Sequence, residues 1–416
     1  MEIKAGYKTT EVGVIPNDWE VFQLDELIVK VGSGITPTGG ANVYKADGRP
    51  LVRSQNIGWG KLLLDDIAFI DDETHQTFPN TEIKFNDVFL NISGASIGRS
   101  SYANEKLVGG NVNQHVCIIR VIDNKLNPVF LNLFLLSKNG QKQIDSFQSG
   151  GNRQGLNIGQ IKTFQIPIPP TLTEQTAIAN ALSDADALIT SLETLIAKKR
   201  NIKQGAMQKL LQPKEGWEVK RLGEICKIFG RIGFRGYTVN DIVKKEQGAL
   251  SISPSNIQDD KMDFAQCTYI SWFKYEESPE IKIFNGDILL VKTGSTSGKI
   301  AVVSNLNEKA TINPQIVVLK KISVNNHFLG YIMAHKVIQN QIITTIVGGA
   351  IPTLSQKQIA NFKISIPQTL SEQNRIASIL SDMDNEITAL ENKLEKYKKI
   401  KLGMMQNLLT GRIRLI

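Results

Sequence analysis

The chain repeats itself, and the repeat limits what it can fold into. FQIPIPPTLTEQTAIAN begins at Phe164 and FKISIPQTLSEQNRIAS at Phe362; ten of the seventeen positions are identical, at an offset of 198. Leu182, Asp184, Asp186, Ile189, Leu192, Lys203, Gly205, Met207 and Leu210 all recur 198 positions later. Trp19-Glu20-Val21 returns as Trp217-Glu218-Val219 at the same offset. Between these anchors the likeness thins. Asp87 and the loop Gly94–Arg99 parallel Asp287 and the loop Gly294–Lys299 at an offset of 200. Two copies of one scaffold with diverged interiors are expected to do the same kind of work on two different things.

Each copy ends in a long helix. Thr171 and Glu174 form a T-x-x-E capping box, repeated by Thr369 and Glu372. Apolar residues follow at Ile178, Leu182, Ile189, Leu192 and Ile196, and at Ile376, Leu380, Ile387, Leu390 and Leu394, with Ala185 and Met383 filling the alternation of fours and threes. That spacing is a coiled-coil seam. A narrow stripe needs a partner, and its twin is the nearest one. The first helix hands the chain to a second globular region and the second helix returns, so antiparallel pairing is expected. A wider face packed on a domain core is the competing reading. Gly205 and Gly403 either allow close backbone approach or bend the helices. Basic clusters at Lys198, Lys199, Arg200 and Lys203, and at Lys393, Lys396, Lys398, Lys399 and Lys401, are expected to be solvated, with DNA phosphate as the second reading.

The globular regions read as α+β. Val88–Ile92, Val116–Val121, Asp287–Lys292 and Ile316–Leu319 have strand character, and Pro128–Leu136 and His327–Gln341 helical character. The expected segments are 1–155, 156–212, 213–350 and 351–416, alternating globular region and helical region. The loops are rich in Gly, Ser, Asn, Gln and Arg. Amides suit adenine edges, guanidinium groups suit guanine, and hydroxyls suit phosphate. The candidate contacts are Arg53, Ser54, Gln55, Asn56, Ser96, Arg99, Asn113, Gln114, Asn152, Arg153 and Gln154 in the first copy. In the second they are Arg231, Arg235, Ser255, Asn256, Thr293, Ser295, Thr296, Lys299 and Gln315. A net charge of +8 permits an anionic partner without demanding one.

Several chemistries find no support. Gly294–Lys299 is one residue short of a P-loop, and Ile300 stands where Ser or Thr should hold magnesium. The four histidines, His75, His115, His327 and His335, lack metal-ligand spacing. Pro169-Pro170 lacks the flanks of an amino-methyltransferase motif. Cys117, Cys226 and Cys267 read as reduced core residues of a cytoplasmic protein. With no apolar run at the start and none long enough to span a bilayer, no membrane partner is expected.

GYKTTEVGVIPNDWEVFQLDEL at the start, the twin stretches IPPTLTEQTAIA and IPQTLSEQNRIA, and KLGMMQNLLTGRIRL at the end together resemble the specificity subunit of type I restriction–modification systems. The resemblance covers essentially the whole chain. It implies two similar α+β target-recognition domains separated by two long helices in an antiparallel coiled coil, with internal pseudo-two-fold symmetry. It also implies a bipartite, asymmetric site on double-stranded DNA, no catalytic centre in this chain, and no cofactor of its own. Two modification subunits would bring S-adenosylmethionine and methylate adenine at N6; restriction subunits would bring ATP and magnesium. Three other readings stay open: a specificity subunit for a fused methylase–nuclease, a coiled-coil scaffold that binds protein and no DNA, and an enzyme whose site these motifs do not reveal.

Overall fold

The computed structural model describes residues 5–148, 155–346 and 353–415. The chain divides into two units, one running to Glu193 and resuming at Asn392, the other Thr194–Glu391. Each unit is a globular head plus half of each long helix.

In the first unit the central layer is a four-stranded antiparallel sheet, in the order Ile28–Ser33, Val116–Val121, Val88–Asn91, Ser100–Tyr102. Its middle strands are buried on both faces, which explains their unbroken apolar runs. Cys117, Ile119, Val88 and Leu90 point into a core with Phe130, Phe134, Ile178 and Leu182. Val116, Ile118 and Phe89 point the other way, against Val52, Ile57, Ile83 and Val112. That second face is covered by a three-stranded sheet in which Arg49–Val52 runs parallel to Asn111–Val112 and antiparallel to Ala68–Ile70.

The second unit repeats this plan. Its central sheet runs Lys227–Gly230, Ile316–Lys320, Ile288–Val291, Ile300–Val302. Val317, Leu319, Ile288 and Leu290 meet the helical core, and Ile316, Val318, Leu289 and Val291 meet the second sheet. The parallel pairing returns as well: Val52 faces Val112, and Ile252 faces Ile312.

Side-chain amides fasten helix to head in the same way twice. Gln175 Oε1 accepts from the Asn127 amide at 2.8 Å, and Gln373 Oε1 from that of Asn325 at 3.0 Å. Both glutamines are buried, which explains why the glutamine recurs. Thr171 and Thr369 supply the threonine half of the expected capping boxes, accepting from the backbone N–H of Glu174 and Glu372. The Glu174 carboxylate, however, is taken by the Arg414 guanidinium, which also reaches Asp18 at 2.9 Å.

The long helices are Leu172–Leu210 and Leu370–Leu408, 39 residues each and about 58 Å long at 1.5 Å per residue. They pack antiparallel in both units. Lys401 meets Asp186 at 2.6 Å and Lys398 meets Glu193 at 3.1 Å in the first unit. The repeat-equivalent pairs in the second are Lys203–Asp384 at 2.6 Å and Arg200–Glu391 at 2.7 Å. Lys199 joins Glu386 at 2.6 Å. Lys199, Arg200 and Lys203 of the first basic cluster, and Lys398 and Lys401 of the second, therefore form a zipper rather than a solvated face. Such part-exposed pairs contribute little stability, roughly 0.3–1 kcal/mol each, but fix register.

The seam is of two kinds. Ile178, Leu182, Ile376 and Leu380 are buried within the head cores, so the wide-face reading holds for the first turns. Leu192, Ile196 and Ile387 are buried further along, where Ile189, Leu390 and Leu394 are half-buried. Gly205 and Gly403 have open space where a Cβ would stand, so close approach is not their role.

One expected helix is broken. His327–Gln341 becomes Asn326–Ala334 and Lys336–Ile346, because His335 is extended at ψ 149°. Ser137, its repeat counterpart, is extended at ψ 164°. Gln339 Nε2 holds the break by donating to Met333 O at 2.9 Å and Gly298 O at 3.1 Å; Gln141 does the same with Leu135 O at 2.7 Å and Gly98 O at 2.9 Å.

Cys117 and Cys226 lie in the core, where burial pushes both thiols up to about 12. No helix among the described residues is long and apolar enough to cross a membrane.

Candidate functional site

Antiparallel pairing brings unlike strand ends to one edge of each head. In the first, Asn91 lies opposite Val116, and Ser33 opposite Cys117. The loops that leave these ends are tied together. Asn113 N–H donates to Val52 O at 3.0 Å, Gly34 N–H to Asn113 O at 3.1 Å, Ile92 N–H to His115 O at 3.0 Å and Leu156 N–H to Ile92 O at 2.8 Å. The Asn91 side-chain amide donates to Ser54 O at 2.8 Å. Loops from five stretches of sequence thus share one rigid base.

The second head builds the same cluster. Asn313 N–H donates to Ile252 O at 2.9 Å, and Lys292 N–H to Gln315 O at 2.8 Å. Leu354 N–H donates to Lys292 O at 2.8 Å. The glycines explain the shape of the loop that resembled a P-loop. Gly94 and Gly98 have φ of 71° and 83°; Gly294 and Gly298 both have φ of 100°. The loop needs left-handed backbone at both ends, and a Cβ on Gly98 would sit 2.6 Å from Gln141 Oε1.

The candidate residues divide into those that hold the loops and those that face out. Asn56 is 1% exposed. Its Oδ1 accepts from Arg53 N–H at 2.9 Å, and its Nδ2 donates to Leu63 O at 3.0 Å and Asp66 O at 3.2 Å. Asn256 does the same with Ser253, Asp263 and Gln266. These amides present no edge to a base, so the expectation that they do is corrected: they are turn anchors. Arg231 is likewise buried, with its guanidinium donating to Ile312 O, Arg235 O and Thr311 Oγ1, each at 3.2 Å. Burial lowers its pKa from the ordinary arginine value. Asn113 is 8% exposed, and its Oδ1 accepts from His115 N–H at 3.1 Å.

The rest stand at the surface or half-buried. Arg53 lies over the Tyr44 ring and donates to Asp66 O at 2.6 Å, and Gln55 is exposed beside the Asp66 carboxylate. Ser54 is half-buried, and its carbonyl is the one that Asn91 holds. Gln114, Ser255, Ser295, Lys299 and Gln315 are exposed, and Ser96, Arg99, Thr293 and Thr296 are half-buried. Lys299 Nζ donates to Ile257 O at 3.2 Å. Arg235 is half-buried, 3.5 Å from Glu280. Asn152, Arg153 and Gln154 lie outside the described residues.

The sequence reading missed His115 and Ser93, which meet side chain to side chain at the centre of the first cluster. The signal was available: His115 sits 200 positions before Gln315, the offset that relates the glycine loops. Among the described residues, no group of His, Cys, Asp and Glu is arranged to hold a metal.

Residues 16–203 and 214–401 each match the type I restriction modification DNA specificity domain. The MjaVIII type I restriction enzyme specificity subunit of Methanocaldococcus jannaschii is 29% identical, over 96% of this chain and 94% of its own. The putative MjaX specificity subunit of the same organism is 26% identical over 98% and 96%. The type I restriction-modification S subunit of M. genitalium has the same fold, with a TM-score of 0.59, 16% identity and 98% of both chains covered. With two matching domains over two units of one plan, the chain belongs to the type I restriction–modification DNA specificity family and is a specificity subunit.

Proposed function

We propose that the chain binds double-stranded DNA at a bipartite, asymmetric target, each head reading one half. The observation that carries this is the paired loop cluster, two rigid frames of one design with different outward residues. Phosphate contacts would position each head, and base edges would specify the sequence. Linking the heads makes the second engagement intramolecular, which multiplies affinity without new contacts. Gln55, Ser96, Arg99 and Gln114 in the first head, and Ser255, Ser295, Thr296, Lys299 and Gln315 in the second, are the outward candidates.

Catalysis would reside on partners. Two modification subunits carrying S-adenosylmethionine would methylate adenine at N6, and restriction subunits would use ATP and magnesium; this chain would hold no cofactor. Genome-wide mapping of N6-methyladenine with and without the gene tests the proposal. A two-part motif that vanishes with the gene is expected. An unchanged methylome in cells that make the modification subunit refutes it, as does binding by the purified complex that does not weaken with salt.

A further inference from the structure

The two heads hold one residue in the same grip and differ in what that residue is. Residues 115 and 315 follow equivalent turns. The Oδ1 of Asn113 accepts from His115 N–H at 3.1 Å, and that of Asn313 accepts from Gln315 N–H at 2.9 Å. The carbonyl of His115 accepts from Ile92 N–H at 3.0 Å, and that of Gln315 from Lys292 N–H at 2.8 Å. The preceding asparagines are pinned to Val52 O at 3.0 Å and Ile252 O at 2.9 Å. The following residues, Val116 and Ile316, donate to Asn113 O and Asn313 O, both at 3.2 Å. Backbone freedom at 115 and 315 is therefore removed by the same four bonds in both copies.

The side chains are not the same. His115 is half-buried, with Nδ1 against Ser93 Oγ and Nε2 3.1 Å from Gln114 Nε2. Gln315 is exposed, and its Oε1 accepts from Asn313 Nδ2 at 3.3 Å. Beside them stand Ser93 and Thr293, which bridge to Gly155 and Thr353. A fixed stem with an interchangeable polar tip is what a base reader needs, since discrimination requires a side chain locked by its support. A primary amide offers a donor and an acceptor together and matches the adenine edge bidentately. An imidazole presents one ring nitrogen at a time and makes a different choice.

Resting on the DNA-reading function proposed above, we infer that His115 and Gln315 are equivalent specificity-determining residues, one for each half-site. Substituting either one changes which base is chosen in its own half and leaves the other half alone.

The test uses full-length subunit in its complex with the modification subunit, as wild type, H115Q and Q315H, with N6-methyladenine mapping in cells. H115Q is expected to relax or change one base position in one half-site, and Q315H one position in the other half-site. Selectivity at that base pair should fall about ten- to hundredfold. Purified complexes are then bound to a panel of duplexes, each carrying one base-pair change. Loss of discrimination confined to one position of the panel supports the inference; an equal loss of affinity for every duplex, with discrimination kept at all positions, overturns it, because a merely structural residue acts that way. An unaltered motif for both variants overturns it as well. The DNA-reading proposal fails separately, if the wild-type complex itself shows no two-part motif.

Discussion

Asn56→Ala separates a turn anchor from a base reader. The side chain makes three hydrogen bonds from a site 1% exposed to solvent. A buried hydrogen bond contributes roughly 0.5–1.5 kcal/mol net, and leaving its partners unsatisfied costs more. Removing all three should destabilise the first unit by about 2–4 kcal/mol. At about 2–4 °C per kcal/mol for a unit of this size, Tm should drop by about 4–16 °C. The drop is read by differential scanning calorimetry, and local loosening by hydrogen exchange on residues 53–66. The methylation motif of the surviving complex should be unchanged below the melting temperature. Asn256→Ala should act the same way on the second unit, where the matching bonds to Ser253, Asp263 and Gln266 run 2.8–3.1 Å. A melting temperature within about 2 °C of wild type together with an altered motif would refute the anchor assignment and restore Asn56 as a base contact.

Arg414→Ala strands the Glu174 carboxylate, which is 3% exposed; breaking a buried pair costs about 3–5 kcal/mol, here reduced by the partial exposure of Arg414. Calorimetry should show the first unit melting lower with the second unmoved; a shift in the second alone contradicts the assignment. Asp71 caps the helix Asp72–Gln76 through Thr74, and hydrogen bonds from Thr74, with Lys45 nearby, lower its pKa from 3.8 to about 2. Because the folded value is depressed, the cap's contribution is full above about 4 and is lost as pH falls toward 2; a carboxyl NMR titration of Asp71 near its ordinary value would contradict this. Seven residues added to both long helices, after Ile196 and at the matching point near Leu390, preserve the seam and add about 10.5 Å. If the helices set the unread spacer, methylation mapping should show it longer by about three base pairs at 3.4 Å each, with both half-sites retained; an unchanged spacer rules that out.

Periodicity made the long helices and central strands legible. A four-three alternation over three heptads and apolar runs buried on both faces leave few alternatives. What stayed hidden depended on a second stretch of chain. The break at His335 is held by Gln339 reaching back to Met333 O and Gly298 O, and nothing local to residues 334–336 announces it. The basic clusters read as solvated until the opposite helix, running the other way, supplies Glu391, Asp384, Glu193 and Asp186. Loop amides posed the same difficulty, since a sequence does not say whether an amide points into the loop or out of it.

The repeat can decide that question. Two heads that read different DNA must differ where they touch bases and agree where they hold themselves together. Asn56 and Asn256, Asn113 and Asn313, Gln141 and Gln339, and Gln175 and Gln373 each recur with the same bonds to the same equivalents, and all are buried or half-buried. The outward tips diverge: Gln55 corresponds to Ser255, Gln114 to Pro314 and His115 to Gln315 in the repeat. If the heads read DNA as proposed, recurrence marks scaffold and divergence marks reading, so the candidate list is best drawn from exposed and half-buried positions where the two copies disagree.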